Sequence, residues 1–336
     1  MHESAIGDPG RATATGTALA DRLARAIGDL RQTAGMELRL DEPMLLHTSL
    51  GVGGPAAVFA IAKSVAAVQA AMATAKRHGV PILTAGRGTN LLVRDGGFPG
   101  IILHLGEPLS AIEIEGDRLR AEAGATLAEV CEAAAGGGLS GLEFAAGVPG
   151  SVGGAAAMNA GTGEGQIGDV IESVEAVHED GTLGLCSRES LDFGYRRSCL
   201  REERCVAVAV TFRLHPADPA AIRQAMFQAI ERRCRKQPLS RGSCGSVFKR
   251  PPNDYAGRVL EVAGVKGLAI GGARFSTKHA NFIVNEGNAT ADDVVRLIEA
   301  AKRRVLDVCG VRLEEEVCIV GEPGAGRAGR EAPGAK

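Results

Sequence analysis

The chain has 336 residues, which at about 150 residues per domain allows for two or three domains. Charged residues make up 23% and hydrophobic residues 45%, an ordinary globular composition that excludes a wholly disordered chain. Lysine and arginine number 38 against 40 aspartate and glutamate residues, so the net charge of −2 argues against a dedicated nucleic-acid-binding protein.

The first predicted helix covers residues 18–30, where leucine and isoleucine recur on one helical face. The second predicted helix, at 64–79, begins with a serine N-cap and stops at a glycine. A strand is predicted at 81–86. Residues 126–129 read Thr-Leu-Ala-Glu, the pattern of a capping box, and predict a short helix that ends in three glycines.

Strand patterns dominate from about 170 to 214, with Asp180-Gly181 as the turn of a hairpin. A helix with an aspartate N-cap and proline at its first position is predicted within 215–238. Another helix is predicted at 290–310, where apolar residues follow a regular helical spacing. This order of helices and strands predicts an α+β fold.

The domain organisation follows from these elements and from the two ends of the chain. Residues 1–16 and 322–336 carry too little apolar surface to offset their ordering entropy, so both are predicted to be disordered tails. Residues 17–214 are predicted to form a two-part glycine-rich domain with a split near 106. A C-terminal domain is predicted at 215–321.

Location and metal content can also be predicted. No run approaches the roughly 18 apolar residues of a membrane-spanning helix, and the N-terminal segment has no apolar secretory core. Eight cysteines form no Cys-x-x-Cys pair, which disfavours structural zinc and fits reduced thiols. We therefore expect a cytoplasmic protein with no metal and no membrane contact, and we take a monomer as the working expectation.

Two glycine-rich loops are the first candidate binding features, in a chain with 46 glycines. One loop, at 85–93, follows a predicted strand, and its glycines allow backbone N–H groups to converge on an anion. The other, at 141–161, places little side-chain bulk between the backbone and a ligand. Either loop alone could be a plain flexible turn, but the pair favours an extended diphosphate cofactor. The Walker A and Gly-x-Gly-x-x-Gly motifs are absent.

Three further segments contain candidate reactive residues. Ser246 follows a glycine and precedes an apolar pair, so its hydroxyl would be held on a stiff segment; the alternative is a turn serine. Arg196 lies among small residues and could pair with a carboxylate, although a lone arginine is usually a surface charge. In 311–321, strand alternation would bury Glu315 unless it is paired or a bulge shifts the register.

These segments together resemble one family, the flavoenzyme UDP-N-acetylenolpyruvoylglucosamine reductases (UDP-N-acetylmuramate dehydrogenases, the MurB family). The resemblance runs from about residue 47 to 321. Its motifs are HTSLGVGGPA, GRGTNLLV, GLEFAAGVPGSVGGAAAMNAG, the Tyr-Arg-x-Ser of 195–198, CGSVFK, IGGARFSTKHANFIVN and LEEEVCIVG. It implies a two-part FAD-binding unit of the vanillyl-alcohol-oxidase (PCMH) type followed by an α/β substrate-binding domain.

The resemblance also implies roles for three residues. Arg196 matches the arginine that polarises the substrate carboxylate, Ser246 the proton donor, and Glu316 the glutamate of the family's LExEV segment. The motif therefore selects Glu316 where strand periodicity points to Glu315. The chain departs from the family's common NAGAYG segment, because it has Thr162 there and no tyrosine. It also lacks a tyrosine-bearing loop, which is typical of the shorter second subgroup.

Binding residues are predicted in two sets. The set expected to contact the FAD diphosphate comprises Gly86, Gly88, Thr89, Asn90, Gly147, Ser151 and Gly154. The set expected to contact the substrate comprises Tyr195, Lys249, Tyr255, Lys278 and Asn281. For each lysine, a solvated surface charge is the alternative interpretation.

The resemblance implies that non-covalent FAD is reduced by NADPH and then reduces UDP-N-acetylglucosamine enolpyruvate to UDP-N-acetylmuramate, a step of peptidoglycan synthesis. Two other functions stay open at this point. One is a flavin oxidase acting on an alcohol or a sugar, often with flavin linked to histidine or cysteine; His47 and His104 lie near the first glycine-rich loop. The other is a nucleotide-sugar binder without catalysis.

Overall fold

Three sheet-containing units follow one another in the computed structural model, which describes residues 9–324. The first unit contains α1 (Pro9–Arg31), β1 (Met36–Pro43), β2 (Pro55–Ala62), α2 (Val65–His78), β3 (Ile82–Ala85), β4 (Leu91–Val93) and β5 (Phe98–His104). Its sheet has the order β1-β2-β5-β3, in which β1 is antiparallel and the other neighbours are parallel. The Ser64 hydroxyl caps α2 and Gly79 ends it in the left-handed conformation, so both predicted helix boundaries are confirmed.

The segment 1–16, predicted to be a disordered tail, overlaps the first helix. Helix α1 begins at Pro9, within the segment 1–16 that was expected to be disordered. Proline is favoured at the first helical position, and the helix is anchored further along by Ala26 and Leu30, which are buried in the core of the first unit. Residues 1–8 lie outside the described chain, as do residues 325–336 of the predicted C-terminal tail.

The second unit is built on an antiparallel sheet with the order β10-β9-β11-β7-β6. Its elements are β6 (Ile112–Glu115), β7 (Arg118–Glu122), α3 (Leu127–Gly136), β8 (Leu139–Ser140), α4 (Val152–Ala157), β9 (Ile171–Val177), β10 (Leu183–Ser187), α5 (Cys199–Glu202), β11 (Val206–Arg213), β12 (His215–Pro216) and α6 (Pro219–Lys236). The capping box of Thr126 and Glu129 is present, and Gly181 turns the β9–β10 hairpin with a φ of 86°.

Helix α6 packs on the second unit, whereas the sequence predicted that it opens the C-terminal domain. Its predicted N-cap is confirmed, because the Asp218 carboxylate accepts the Ala220 N–H and Pro219 occupies the first position. The helix contacts α3, β8 and the short 3-10 helix Glu143–Ala145, and Met226 packs against the second unit's core. Capping residues mark where a helix starts but carry no information about which core it packs against.

The third unit pairs a small antiparallel sheet, β13-β16-β15-β14, with two helices. Its elements are β13 (Ser243–Ser246), α7 (Ala256–Val262), β14 (Ala269–Ile270), β15 (Ala273–Phe275), β16 (Phe282–Asn285), α8 (Ala291–Cys309) and β17 (Cys318–Val320). Strand β17 returns to the first unit and pairs in parallel with β4. Leu50 and Leu92 of the first unit are buried in the third unit's core. The two units therefore share apolar surface.

The segment 311–321 is less regular than its alternating pattern predicts. Within the described chain only Cys318–Val320 forms a strand here, and Glu315 makes an isolated bridge to Phe248. Leu313 and Val317 are buried, whereas Glu315 forms an ion pair with Lys302 at 2.7 Å. This break removes the conflict between motif and periodicity. Among the described residues, no helix combines the length and apolar character needed to cross a membrane.

Candidate active site

A cavity of about 1540 Å³ lies where the three units meet. Both glycine-rich loops, the C-terminal turns of α6 and strand β13 contribute to its wall. Nine residues predicted from the sequence line it: Gly86, Gly88, Thr89, Asn90, Ser151, Gly154, Arg196, Ser246 and Glu316. Folding therefore brings together residues that are up to 230 positions apart (316 − 86).

The two glycine-rich loops approach each other closely enough to require glycine. A Cβ atom on Gly86 would lie 2.1 Å from the Ser151 hydroxyl oxygen. A Cβ atom on Gly88, whose φ is +60°, would lie 2.0 Å from the His47 carbonyl oxygen. Ser151 is buried and its hydroxyl accepts the Gly154 N–H at 3.4 Å. The loops thus form a narrow wall of backbone with little side-chain bulk.

Gly147 is the one predicted cofactor residue that does not line the cavity. Its φ is +76°, and a Cβ atom there would lie 3.2 Å from Ile230 and 3.5 Å from Arg233 on α6. The structure therefore indicates that Gly147 lets helix α6 pack against the loop. The predicted contact of Gly147 with the cofactor stays a prediction.

Arg196 and Glu316 form an ion pair in the cavity wall, with 2.5 Å between the guanidinium Nε and the carboxylate. The Arg196 guanidinium also donates to the backbone carbonyls of Asn159, at 3.4 Å, and Gly161, at 3.1 Å. Arg196 has a φ of +55°, which is uncommon for a residue with a side chain. A guanidinium has five N–H donors, so three used here leave two for a ligand.

The carboxylate of Glu316 is largely withdrawn from solvent, with 12% of its side chain exposed. Burial raises its pKa, while the charge of Arg196 opposes that shift. The Asn90 side chain donates to the Glu316 backbone carbonyl at 3.0 Å. Asn90 thus lines the cavity, and its amide holds the segment that carries Glu316.

Ser246 lies at the end of β13, just after a bulge. Between Ser243 and Ser246 the strand advances three residues while its partner β16 advances two, from Val284 to Phe282. Gly245 supplies the positive φ of +75° that this geometry uses. The next residue is tied to the glutamate segment, because the Glu316 N–H donates to the Val247 carbonyl at 2.7 Å. Ser246 and Glu316 are therefore carried by hydrogen-bonded neighbouring segments.

Three of the predicted substrate residues lie together on an exposed rim outside the cavity wall. The Tyr195 hydroxyl accepts the Arg250 N–H at 3.2 Å, and the Arg250 guanidinium lies 4.6 Å from the centre of the Tyr255 ring. The ammonium of Lys249 pairs with Glu314 at 3.4 Å. Tyr195 links this rim, formed by residues 195, 249, 250 and 255, to the neighbouring Arg196.

The other two predicted substrate residues, the exposed Lys278 and the buried Asn281, have protein partners for their polar groups. The Lys278 ammonium donates to the Cys234 carbonyl at 2.6 Å, near the end of α6. Asn281 is 6% exposed, and both ends of its amide bond to the backbone of Phe248. Neither residue lines the cavity, and the predicted contacts of Lys278 and Asn281 with substrate stay predictions.

Sequence reasoning missed a set of polar residues near the end of α6. The cavity wall includes Arg232, Arg233, Lys236, Gln237 and Arg241. Among residues 9–324, the buried Nε of Arg233 and Oε1 of Gln237 find no hydrogen-bond partner. Burial lowers the pKa of Arg233. Only the basic character of the last helical turn could have signalled this set.

Neither histidine considered for a flavin linkage lines the cavity. The rings of His47 and His104 both stack with the ring of Phe59, at centre-to-centre distances of 4.1 and 5.4 Å. Burial lowers the pKa of His104. Within residues 9–324, no group of three or more histidine, cysteine, aspartate or glutamate side chains is arranged to hold a metal ion.

Comparison with protein families separates a flavin-binding part of the chain from a C-terminal part. Residues 55–187 match a family model described as an FAD binding domain. Residues 237–320 match a model described as the C-terminal domain of UDP-N-acetylenolpyruvoylglucosamine reductase. The second match begins directly after α6, in agreement with the packing of that helix on the second unit.

Similar proteins cover most of the chain. A UDP-N-acetylenolpyruvoylglucosamine reductase of Clostridium botulinum (strain Hall) is 43% identical over 283 residues, covering 84% of this chain and 92% of that protein. The enzyme of Levilactobacillus brevis is 44% identical over 282 residues, with the same coverage. The crystal structure of the reductase (MurB) from Thermus caldophilus is 36% identical, with a TM-score of 0.72 and coverage of 84% and 98%.

The two-part flavin-binding fold, closed by a third unit around one cavity, defines an FAD-dependent oxidoreductase. The identity over most of both chains makes the assignment more specific: the chain belongs to the UDP-N-acetylenolpyruvoylglucosamine reductase (MurB) family. The resemblance, the α+β fold and FAD as cofactor, all expected from the motifs, are confirmed.

Proposed function

We propose that this protein reduces UDP-N-acetylglucosamine enolpyruvate to UDP-N-acetylmuramate with electrons from NADPH, a step in peptidoglycan precursor synthesis. The observation that carries the proposal is the convergence of Arg196, Ser246 and Glu316 on one cavity from separate parts of the fold. Each of these residues matches one of the sequence motifs that resemble the family, which supports the proposal. Eight free thiols fit a reducing compartment such as the cytoplasm.

The cavity has the features that FAD requires. Two glycine-rich loops face it, and its polar wall contains the unpartnered Arg233 and Gln237 atoms described above. We assign the loops 86–90 and 150–154 to the cofactor, and Arg233 and Lys236 to the negative charge of a diphosphate. When bound, FAD supplies hydride transfer from NADPH to the terminal carbon of the enolpyruvyl double bond.

Arg196 and Glu316 act on the carboxylate end of the substrate. The two free N–H donors of Arg196 bind the carboxylate, and Glu316 keeps the guanidinium in place. Negative charge spreads onto this group as hydride arrives at the terminal carbon. Burial raises the pKa of Glu316 while Arg196 opposes that shift, and the ion pair keeps the guanidinium directed at the developing charge.

Ser246 completes the reaction by protonation. Its O–H bond breaks as the electron pair of the substrate enolate forms a C–H bond at the carbon next to the carboxylate. A serine hydroxyl is a weak acid, so this transfer depends on the strong basicity of an enolate carbon. The Glu316–Val247 hydrogen bond joins the segment after Ser246 to the segment of Glu316, and Ser246, Glu316 and Arg196 all line the cavity, which supports this role.

The proposed function predicts a spectroscopic cycle in the purified holoprotein. Flavin absorbance should bleach with NADPH under anaerobic conditions and return when the enolpyruvyl substrate is added. UDP-N-acetylglucosamine, which lacks the double bond, is the matched control and should leave the flavin reduced. A flavin that returns only with oxygen would favour the oxidase, and a flavin that NADPH does not bleach would favour a binder.

The exposed rim predicts an effect on substrate affinity alone. We expect Lys249→Ala to raise the KM for the UDP-sugar. Flavin reduction by NADPH should stay unchanged, because Lys249 stands outside the cavity. Lys266→Ala is the control, since Lys266 is about equally exposed and pairs with Glu261 away from the rim. Steady-state kinetics measure both variants, and an equal KM in both would remove Lys249 from the substrate site.

A further inference from the structure

Asn281 lies one residue before β16, and both ends of its side-chain amide form hydrogen bonds with the backbone of Phe248. Its Oδ1 accepts the Phe248 N–H at 3.0 Å, and its Nδ2 donates to the Phe248 carbonyl at 2.9 Å. Its own backbone carbonyl accepts the Val247 N–H at 2.9 Å. With 6% of the residue exposed, this clamp is shielded from water.

The clamp holds the segment that carries the reactive groups. Phe248 lies two residues after Ser246, and its ring is buried in the third unit's core. Val247, between them, accepts the N–H of Glu316 at 2.7 Å. The bulge just before Ser246 interrupts the regular ladder between β13 and β16, so the Asn281 amide supplies the pairing that the ladder lacks there.

We infer that Asn281 is a positioning residue: it orients Ser246 and Glu316 through the backbone of Val247 and Phe248 and does not contact substrate. The inference rests on the proposed function. An amide is suited to this role because it has a donor and an acceptor on one planar group. An aspartate carboxylate has the same shape and could still accept the Phe248 N–H. It has no N–H to donate, so its second oxygen would face the Phe248 carbonyl oxygen, and both atoms carry negative charge.

Asn281→Asp therefore tests the inference in the FAD-loaded enzyme. We expect the flavin content and the rate of flavin reduction by NADPH to stay near the parent values, since neither depends on Ser246. The limiting rate of reoxidation by saturating enolpyruvyl substrate should fall about 10²-fold, the effect of misplacing reacting groups by roughly 1 Å. The substrate concentration giving half of that rate should change little.

Asn285→Asp is the matched control. Asn285 is on the same strand and also bonds only to backbone: its Nδ2 donates to the carbonyls of Leu50 and Gly51, and its Oδ1 accepts from Gly287 and Ala289. It does not line the cavity. We expect this variant to lose thermal stability while the ratio of its two half-reaction rates stays that of the parent.

The outcomes separate the two proposals. If reoxidation is as fast in Asn281→Asp as in the parent, or equally slowed in Asn285→Asp, Asn281 has no positioning role. If the parent itself is not reoxidised by the enolpyruvyl substrate, the proposed function fails and the inference fails with it. Should Asn281→Asp lack flavin because it does not fold, Asn281→Ser, whose hydroxyl can bond one of the two Phe248 groups, is measured in the same way.

Discussion

Replacing Ser246 with alanine should separate the two half-reactions. The variant should bind FAD and be reduced by NADPH at nearly the parent rate, because the serine acts only after hydride has reached the substrate. Reoxidation by the enolpyruvyl substrate should slow by about 10²–10⁴-fold, the usual contribution of a positioned general acid. Stopped-flow absorbance of the flavin measures both steps.

Two further measurements distinguish the loss of a proton donor from the loss of a turn-capping hydroxyl. Ser246→Cys should recover part of the lost rate, because a thiol is a proton donor of similar size. A turn-capping serine would instead lose about 1 kcal/mol of stability in the alanine variant and leave the chemistry intact. Reoxidation at the parent rate in Ser246→Ala would show that another group supplies the proton.

Replacing Gly88 with valine should abolish most FAD binding. The Cβ atom would lie 2.0 Å from the His47 carbonyl oxygen, and a β-branched residue strongly disfavours a φ of +60°. The loop 86–90 would have to move away from Ser151 and from the cavity. The ratio of flavin absorbance to protein absorbance in the purified variant gives the occupancy.

Gly116→Val distinguishes loss of the cofactor site from backbone strain. Gly116 has the same φ of +60°, but a Cβ atom there meets no other atom within 4 Å, and it lies in the β6–β7 turn. This variant should lose stability from strain and still contain FAD. Full flavin retention in Gly88→Val, or equal loss in both variants, would remove loop 86–90 from the cofactor site.

Local structure was the part most easily predicted from the sequence. The Thr126 capping box, the Ser64 and Asp218 N-caps and the hairpin turn at Gly181 all formed where short-range patterns placed them. Each depends on contacts within about four residues, so the neighbouring residues in the sequence are enough to predict it. The length of α1 was underestimated, because low apolar content near its start was taken as evidence of disorder.

The placement of the two candidate glutamates followed the motif more than the periodicity. Strict alternation selected Glu315, whereas the structure pairs Glu315 with Lys302 and places Glu316 against Arg196. The interruption of the strand before Cys318 cannot be predicted from the alternation of apolar residues. It arises because Val247 accepts the Glu316 N–H from a segment almost seventy residues earlier (316 − 247 = 69).

The sequence by itself determined the family, the capped starts of α2, α3 and α6 and the glycine-rich loops, because these depend on short motifs and local backbone preferences. Only the tertiary structure decided which side chains face the cavity. Lys278 and Asn281 were predicted to contact substrate, and the structure shows them bonded to the backbone of Cys234 and Phe248. Arg233, which no motif marked, lies half-buried in the cavity wall, and its buried Nε has no hydrogen-bond partner among the described residues. A polar side chain binds a ligand or a neighbouring backbone according to which group folding brings within hydrogen-bond distance, and that depends on packing between distant segments.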